Sequence, residues 1–203
     1  MSAKMTLDEY LSYEARSPVA HEYRAGVTYA LAAPSRNHAT ISMNLALKLG
    51  AAARMARCEA YAGDMKLVTP AGERLIPDFV IRCDTDRGEL PRSSGENTAT
   101  DPWLVVEILS ERTAATDVTE KLDAYQSVPS VSYYVIIDSR RRAMRFFERL
   151  ESGRFQTSGS VESVQLPRLG DCLLTLDDVY RDTTVPSVLT LVRESDLAGD
   201  AQT

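Results

Sequence analysis

The chain is poor in the residues that staple or coordinate. Its three cysteines, Cys58, Cys83 and Cys172, are an odd number with no C-x-x-C pair, which argues against a disulfide framework and a zinc knuckle. With only two histidines, His21 and His38, a soft-ligand metal site is not expected either. No apolar run approaches the roughly 20 residues that span a bilayer. The opening segment MSAKMTLDEYLSYEARS lacks the apolar core of a signal peptide, so the expectation is a cytoplasmic protein without a membrane partner. Positive charge is also short. The 23 Lys and Arg stand against 29 Asp and Glu, a net −6, which is not the surface of a protein that grips nucleic acid everywhere. What is present is ordinary for a folded domain: 203 residues, 44% hydrophobic and 26% charged. A chain of this length removes roughly 70% of its unfolded surface from water without staples.

The pattern along the chain alternates helix and strand signals. Thr6 to Glu9 has the S/T-x-x-E form of a capping box and opens a short helix to about Ala15, closed off by Pro18. His21–Ala33 reads as a hairpin turning at Ala25-Gly26. From Asn37, the recurrence of Ile41, Leu45 and Leu49 puts one apolar face on a helix. Glu59–Thr69 and Leu75–Cys83 read as strands joined by Pro70-Ala71-Gly72. Residues 84–101 are polar and read as a long exposed loop. Trp103–Leu109 is dense enough in apolar residues to be a strand buried on both faces. A helix over Thr116–Ser127 and a second buried strand, Tyr133–Asp138, make a crossover unit. Arg142–Arg149 and Arg154–Thr157 continue as a meander, and Leu176–Tyr180 is a short helix. The order implies an α/β (α+β) fold, a mixed sheet flanked by helices.

Two carboxylates carry the chemical signal. Glu107 interrupts the apolar run WLVVEILS, and Asp78 follows Pro77 at the entry of a strand in LIPDFVIRC. A carboxylate inside such a strand must be hydrogen-bonded, paired or bound to a cation. Two on adjacent strands repel one another, which a divalent ion such as Mg²⁺ relieves, retaining waters for chemistry. A cation beside Glu107 on the same strand face would stand at position 109, which is leucine. Lys121, on the next helix, could reach the site, although Asp117 four residues earlier makes a surface ion pair the simpler explanation from spacing alone. Ser110 and Thr113 follow the Glu107 strand and suit helix capping better than phosphate contact. Arg140, Arg141, Arg142, Arg145, Arg149 and Arg154 outnumber Asp138, Glu148 and Glu151, so this segment suits either a DNA backbone or a solvated sheet edge.

The stretches MTLDEYL, HEYRAGVTYA, NHATISMNLALKL, GDMKL, IPDFVI, PWLVVEILSERTAATDVTEKLDAY, SYYVIID and LPRLG occur in this order from about Met5 to Tyr180. In that order and spacing the chain resembles the Uma-two family, bacterial proteins of the restriction-endonuclease-like PD-(D/E)XK superfamily. The resemblance implies a restriction-endonuclease-like domain over residues 1–182; residues 183–203 are then a C-terminal extension, whose last ten residues, with three acids and no base, are expected to be mobile. It implies Asp78 and Glu107 as metal-binding acids, with Glu22 of HEYRAG as a third ligand, direct or through water. It also implies that Lys121 replaces the lysine missing at position 109, overturning the preference from spacing. Asp78, Glu107, Lys121 and Glu22 are thus the expected catalytic residues, Mg²⁺ (or Mn²⁺) the expected cofactor, DNA the expected substrate, and a homodimer the expected assembly. Asp64 and Lys66 of GDMK also match the family pattern, although an alternating strand face explains them as well, and His38 matches it at a helix start, where capping suits it as well as catalysis. The alternative is a non-catalytic dimerising or binding module that keeps the nuclease fold.

Overall fold

The computed structural model describes residues 4–31, 33–83, 98–99, 101–110 and 117–186, with the side chains of 117–119 excepted. The expected 84–97 part of the long loop, Thr113 and the end of the C-terminal extension lie outside the described residues. The elements are α1 (Leu7–Glu14), β1 (His21–Arg24), β2 (Val27–Ala30), α2 (Arg36–Met55), β3 (Glu59–Ala62), β4 (Lys66–Val68), β5 (Arg74–Leu75), β6 (Phe79–Arg82), β7 (Thr98–Ala99) and β8 (Leu104–Leu109). After them come α3 (Asp117–Gln126), β9 (Tyr133–Asp138), β10 (Met144–Arg149), β11 (Phe155–Ser160), β12 (Ser163–Leu166), β13 (Cys172–Thr175) and α4 (Leu176–Val179).

Local chemistry explains the ends of the helices. The Thr6–Glu9 capping box forms as expected: Thr6 Oγ1 accepts the Glu9 N–H, and the Glu9 carboxylate accepts the Thr6 N–H. Ser35 caps α2 by accepting the His38 N–H at 3.2 Å. Gly50 does not end α2, which runs on to Met55, because the face carrying Ile41, Leu45, Leu49 and Ala53 is fully buried and tertiary packing outweighs the helix propensity of one glycine.

A six-stranded sheet, ordered β11-β10-β9-β8-β6-β3, forms the centre, with β8 and β9 parallel and the other pairs antiparallel. The β8–α3–β9 crossover is the unit expected from the sequence. A second sheet, ordered β2-β1-β5-β4-β7, stands beside it. The two expected strands on either side of Pro70-Ala71-Gly72 are each split. Asp64 adopts φ 54° beside Gly63, and this turn divides Glu59–Thr69 into β3 and β4, which enter different sheets. Ile76-Pro77-Asp78 divides β5 from β6 in the same way. The β12–β13 pair, absent from the sequence reading, closes over α2 with α4.

The faces of the six-stranded sheet are unlike. Leu104, Val106 and Ile108 of β8 point toward α2 with Ile41, Leu45 and Leu49, while Val105 points toward α3 with Tyr125 and Tyr134. Strand alternation therefore sends Glu107 to the α3 side. On β3–β6, the pair Glu59↔Arg82 carries Cys58 opposite Cys83, and the two form a disulfide across a Cα–Cα distance of 4.5 Å. This corrects the reading from cysteine spacing: a separation of 25 residues along the chain says nothing about distance across a ladder. Cys172 remains a thiol. Among the described residues no helix is long and apolar enough to cross a membrane.

Candidate active site

The register that builds the sheet also builds the acid pair. β6 and β8 are antiparallel with Phe79 opposite Val106, so Asp78, one step before Phe79, falls opposite Glu107, one step after Val106. Asp78 is held at both oxygens. Its Oδ2 accepts the Ile108 N–H at 2.7 Å, and its Oδ1 lies 3.0 Å from His38 Nε2. His38 was ambiguous in the sequence between capping and chemistry. Its backbone is capped by Ser35, which leaves the imidazole to reach Asp78. Burial works against the charge on this imidazole, but Asp78 and Glu107 outweigh it and raise its pKa above the usual histidine value.

Glu107 is 6% exposed. Its Oε1 accepts from Lys121 Nζ at 3.0 Å and, in a short bond, from the Tyr125 hydroxyl. Both donors come from α3, four residues apart and thus on one face. Lys121 also lies 2.9 Å from Glu22 Oε1, so a single buried ammonium bridges two carboxylates. Spacing alone had favoured a surface position for Lys121; the lysine is instead 6% exposed. Glu22 further accepts the Ile76 N–H at 2.9 Å and lies 3.8 Å from Arg24, which also reaches Glu120 at 3.5 Å. Burial pushes the Glu107 carboxyl up and Asp78 and Glu22 add to it; Lys121 and Tyr125 oppose them, leaving it at about 7. Burial with Glu107 and Glu22 alongside pushes the Tyr125 phenol well above its usual range.

The structure therefore brings Asp78, Glu107, Lys121 and Glu22 together, along one cleft. Asp64 and Ser110 line it too. Lys66 does not: it pairs with Glu14 at 2.9 Å, on the other side of β1. Tyr125 is the member that sequence reasoning missed. Its spacing of four from Lys121 was the available signal, but an aromatic at that position reads equally well as core. The arginine-rich segment is largely spent internally. Arg140 and Arg141 bind Asp138, Arg142 binds Asp177, and Arg149 donates to the carbonyls of Val131, Gly153, Gln126 and Val128.

The donor set fits a hard divalent cation. Asp78 and Glu107 offer carboxylate oxygens, and burial together with the neighbouring carboxylates raises the Glu107 pKa, which a bound cation would oppose. Among the described residues no three His, Cys, Asp or Glu side chains form a group able to hold a metal. A cation here would rest on Asp78 and Glu107 and take its other ligands from water, as Mg²⁺ commonly does. Glu22 is tied to Lys121 and the Ile76 N–H, which suits a role through water rather than direct ligation.

Comparison with known proteins follows the same lines. The chain is 30% identical over 185 residues to an uncharacterised Synechocystis sp. protein, slr1290, covering 88% of this chain and 92% of that one. A second Synechocystis sp. protein, sll1609, is 25% identical over 135 residues, covering 66% and 75% respectively. The fold is similar to a crystal structure from Anabaena variabilis described as "a putative nuclease belonging to DUF820", with a TM-score of 0.68 at 15% identity, covering 87% of this chain and 97% of that one. Residues 7–177 match the model of the family Uma2, described as "Putative restriction endonuclease". With so much of its length matched, this chain belongs to the Uma2 family.

Proposed function

We propose that the protein is a Mg²⁺-dependent endonuclease, with Mn²⁺ as a substitute, that hydrolyses phosphodiester bonds of nucleic acid, DNA in the first instance. The observation that carries this reading is Lys121, buried and shared between Glu107 and Glu22 beside Asp78. A buried cation reaching over from the next helix supplies what position 109 lacks. Asp78 and Glu107 would hold the metal, which when bound supplies Lewis-acid stabilisation of phosphate charge and a more acidic water. His38 and the Ile108 N–H fix the Asp78 carboxylate, and Tyr125 fixes Glu107. Lys121 Nζ orients the attacking water and offsets negative charge developing on the phosphate.

The test is incubation of nucleic acid with Mg²⁺ or Mn²⁺, comparing wild type with Asp78→Ala and Glu107→Gln. Cleavage by wild type and its loss by at least about 100-fold in both variants is expected; equal cleavage by all three would overturn the assignment.

A second reading, a dimerising or binding module without catalysis, draws on another surface. The outer side of α2 leaves Leu47 67% and Met55 87% exposed, beside the sheet-edge strand β3. A homodimer through this face is compatible with both readings, since cutting two strands is served by two symmetric sites. Sedimentation of wild type as a dimer and of Leu47→Glu as a monomer is the expected result.

A further inference from the structure

The cleft above the acid pair holds more than phosphodiester chemistry uses. Its volume is about 830 Å³, within the roughly 300–1,000 Å³ of clefts that take a small molecule or a single group. One wall is the β1–β2 hairpin. Cross-strand pairing of Glu22 with Tyr29 puts both on one face, and Leu31, two residues further, lines the same cleft. The Arg24 guanidinium sits 4.1 Å from the centre of the Tyr29 ring. The opposite wall is the first half of α2, where Ala39, Ser42, Met43 and Ala46 recur at helical spacing. Tyr29 is 38%, Leu31 41% and Met43 60% exposed. Asp78, Glu107 and Lys121 need none of these three to handle a phosphate. An aromatic platform and apolar walls over an acid floor suit a flat base.

Charge points the same way. A duplex is held by Lys and Arg laid along its phosphates. Among the described residues lining this cleft, the cationic side chains Arg24 and Lys121 and the His38 imidazole are all engaged with carboxylates, and Asp64 adds further negative charge. What these residues offer a substrate is stacking and apolar contact, which an unpaired base can use and a paired one hides.

We propose, building on the nuclease reading above, that substrate enters as an unpaired nucleotide of a single-stranded nucleic acid. Its base stacks on the exposed Tyr29 ring, which the buried Arg24 guanidinium backs, and packs against Leu31 and Met43, while its phosphate faces Asp78 and Glu107. The shared chemistry is a base on a flexible strand, and DNA and RNA arms of the test separate the two sources.

The experiment compares cleavage of a short single strand, as DNA and as RNA, with cleavage of the DNA duplex of the same sequence, in Mg²⁺ and in Mn²⁺. A single strand is expected to be cut with a kcat/KM at least about tenfold above the duplex. Tyr29→Leu should raise KM for it by about 5- to 150-fold with kcat kept, the range spanned by loss of one base–aromatic stack. Tyr29→Phe, which keeps the ring, should retain the wild-type KM. An abasic nucleotide at the cut position should cost wild type the same factor and cost Tyr29→Leu nothing further. Equal or better cleavage of the duplex, or an abasic substitution without effect, overturns this inference and leaves the nuclease reading standing. Failure of wild type to cut any of the three overturns both.

Discussion

His21 and Glu22 are neighbours on β1 and point to opposite sides of the strand, each into a buried cluster of charged groups. On the His21 side, Glu14 meets His21 Nδ1 at 3.0 Å and Lys66 at 2.9 Å, and Tyr13 lies 3.3 Å from His21 Nε2. On the Glu22 side, Glu22, Asp78 and Glu107 share Lys121, Arg24 and the His38 imidazole, while Arg24 also serves Glu120. The two clusters are balanced in opposite senses. Burial pushes Glu14 up, but Lys66 and His21 prevail and hold it below the usual carboxylate range. Glu107 ends at about 7, because burial and its carboxylate neighbours prevail over Lys121. A cluster whose charges cancel locks α1 to the sheet. The other, where acids outnumber cations and Glu107 is raised to about 7, carries the kind of perturbation that marks functional sites.

The largest stability effect is expected on the balanced side. Glu14→Gln leaves Lys66 without its counter-charge and weakens the contact with His21, and should cost about 2–3 kcal/mol by denaturant unfolding. Cleavage by the folded fraction should be unchanged; a loss of cleavage would break the separation of the two faces.

The opposite sign is expected on the other side. The folded pKa of Glu107 is raised, so its contribution to stability is fully present below the unfolded value of about 4.3 and is lost as pH rises through about 7. Metal-free wild type should therefore lose about 1–3 kcal/mol relative to Glu107→Gln between pH 5 and pH 8. Parallel stability curves for the two proteins would mean that the site carries no excess charge. The smallest effect belongs to Tyr13→Phe, which removes one hydrogen bond at the rim of the balanced cluster. It should cost under about 1 kcal/mol and leave cleavage untouched.

Legibility in the sequence followed the same division. Glu107 stood out because an acid in the run from Trp103 to Leu109 has few ordinary explanations, and the burial of its neighbours is what the structure shows. The α2 face and the β8–α3–β9 crossover were readable from periodicity. Lys121 was not, because a charge on a helix looks the same whether it meets solvent or a sheet; only the family resemblance placed it at the site. Tyr125 and the role of His38 were hidden for a related reason. Both act through partners more than 15 residues away, and no local pattern encodes such a contact. The Cys58–Cys83 bridge escaped likewise, since it follows from the β3–β6 register rather than from spacing. The split of Glu59–Thr69 at Gly63-Asp64 was missed because an alternating pattern continues across the turn.

The proposal that Asp78 and Glu107 hold a cation is tested most directly by a calorimetric titration of Mn²⁺ into wild type, Asp78→Ala and Glu107→Gln above pH 7. Saturable binding of metal by wild type, weakened by at least about tenfold in each variant, is the predicted result. Absence of binding to wild type, or equal affinity in all three proteins, would contradict it.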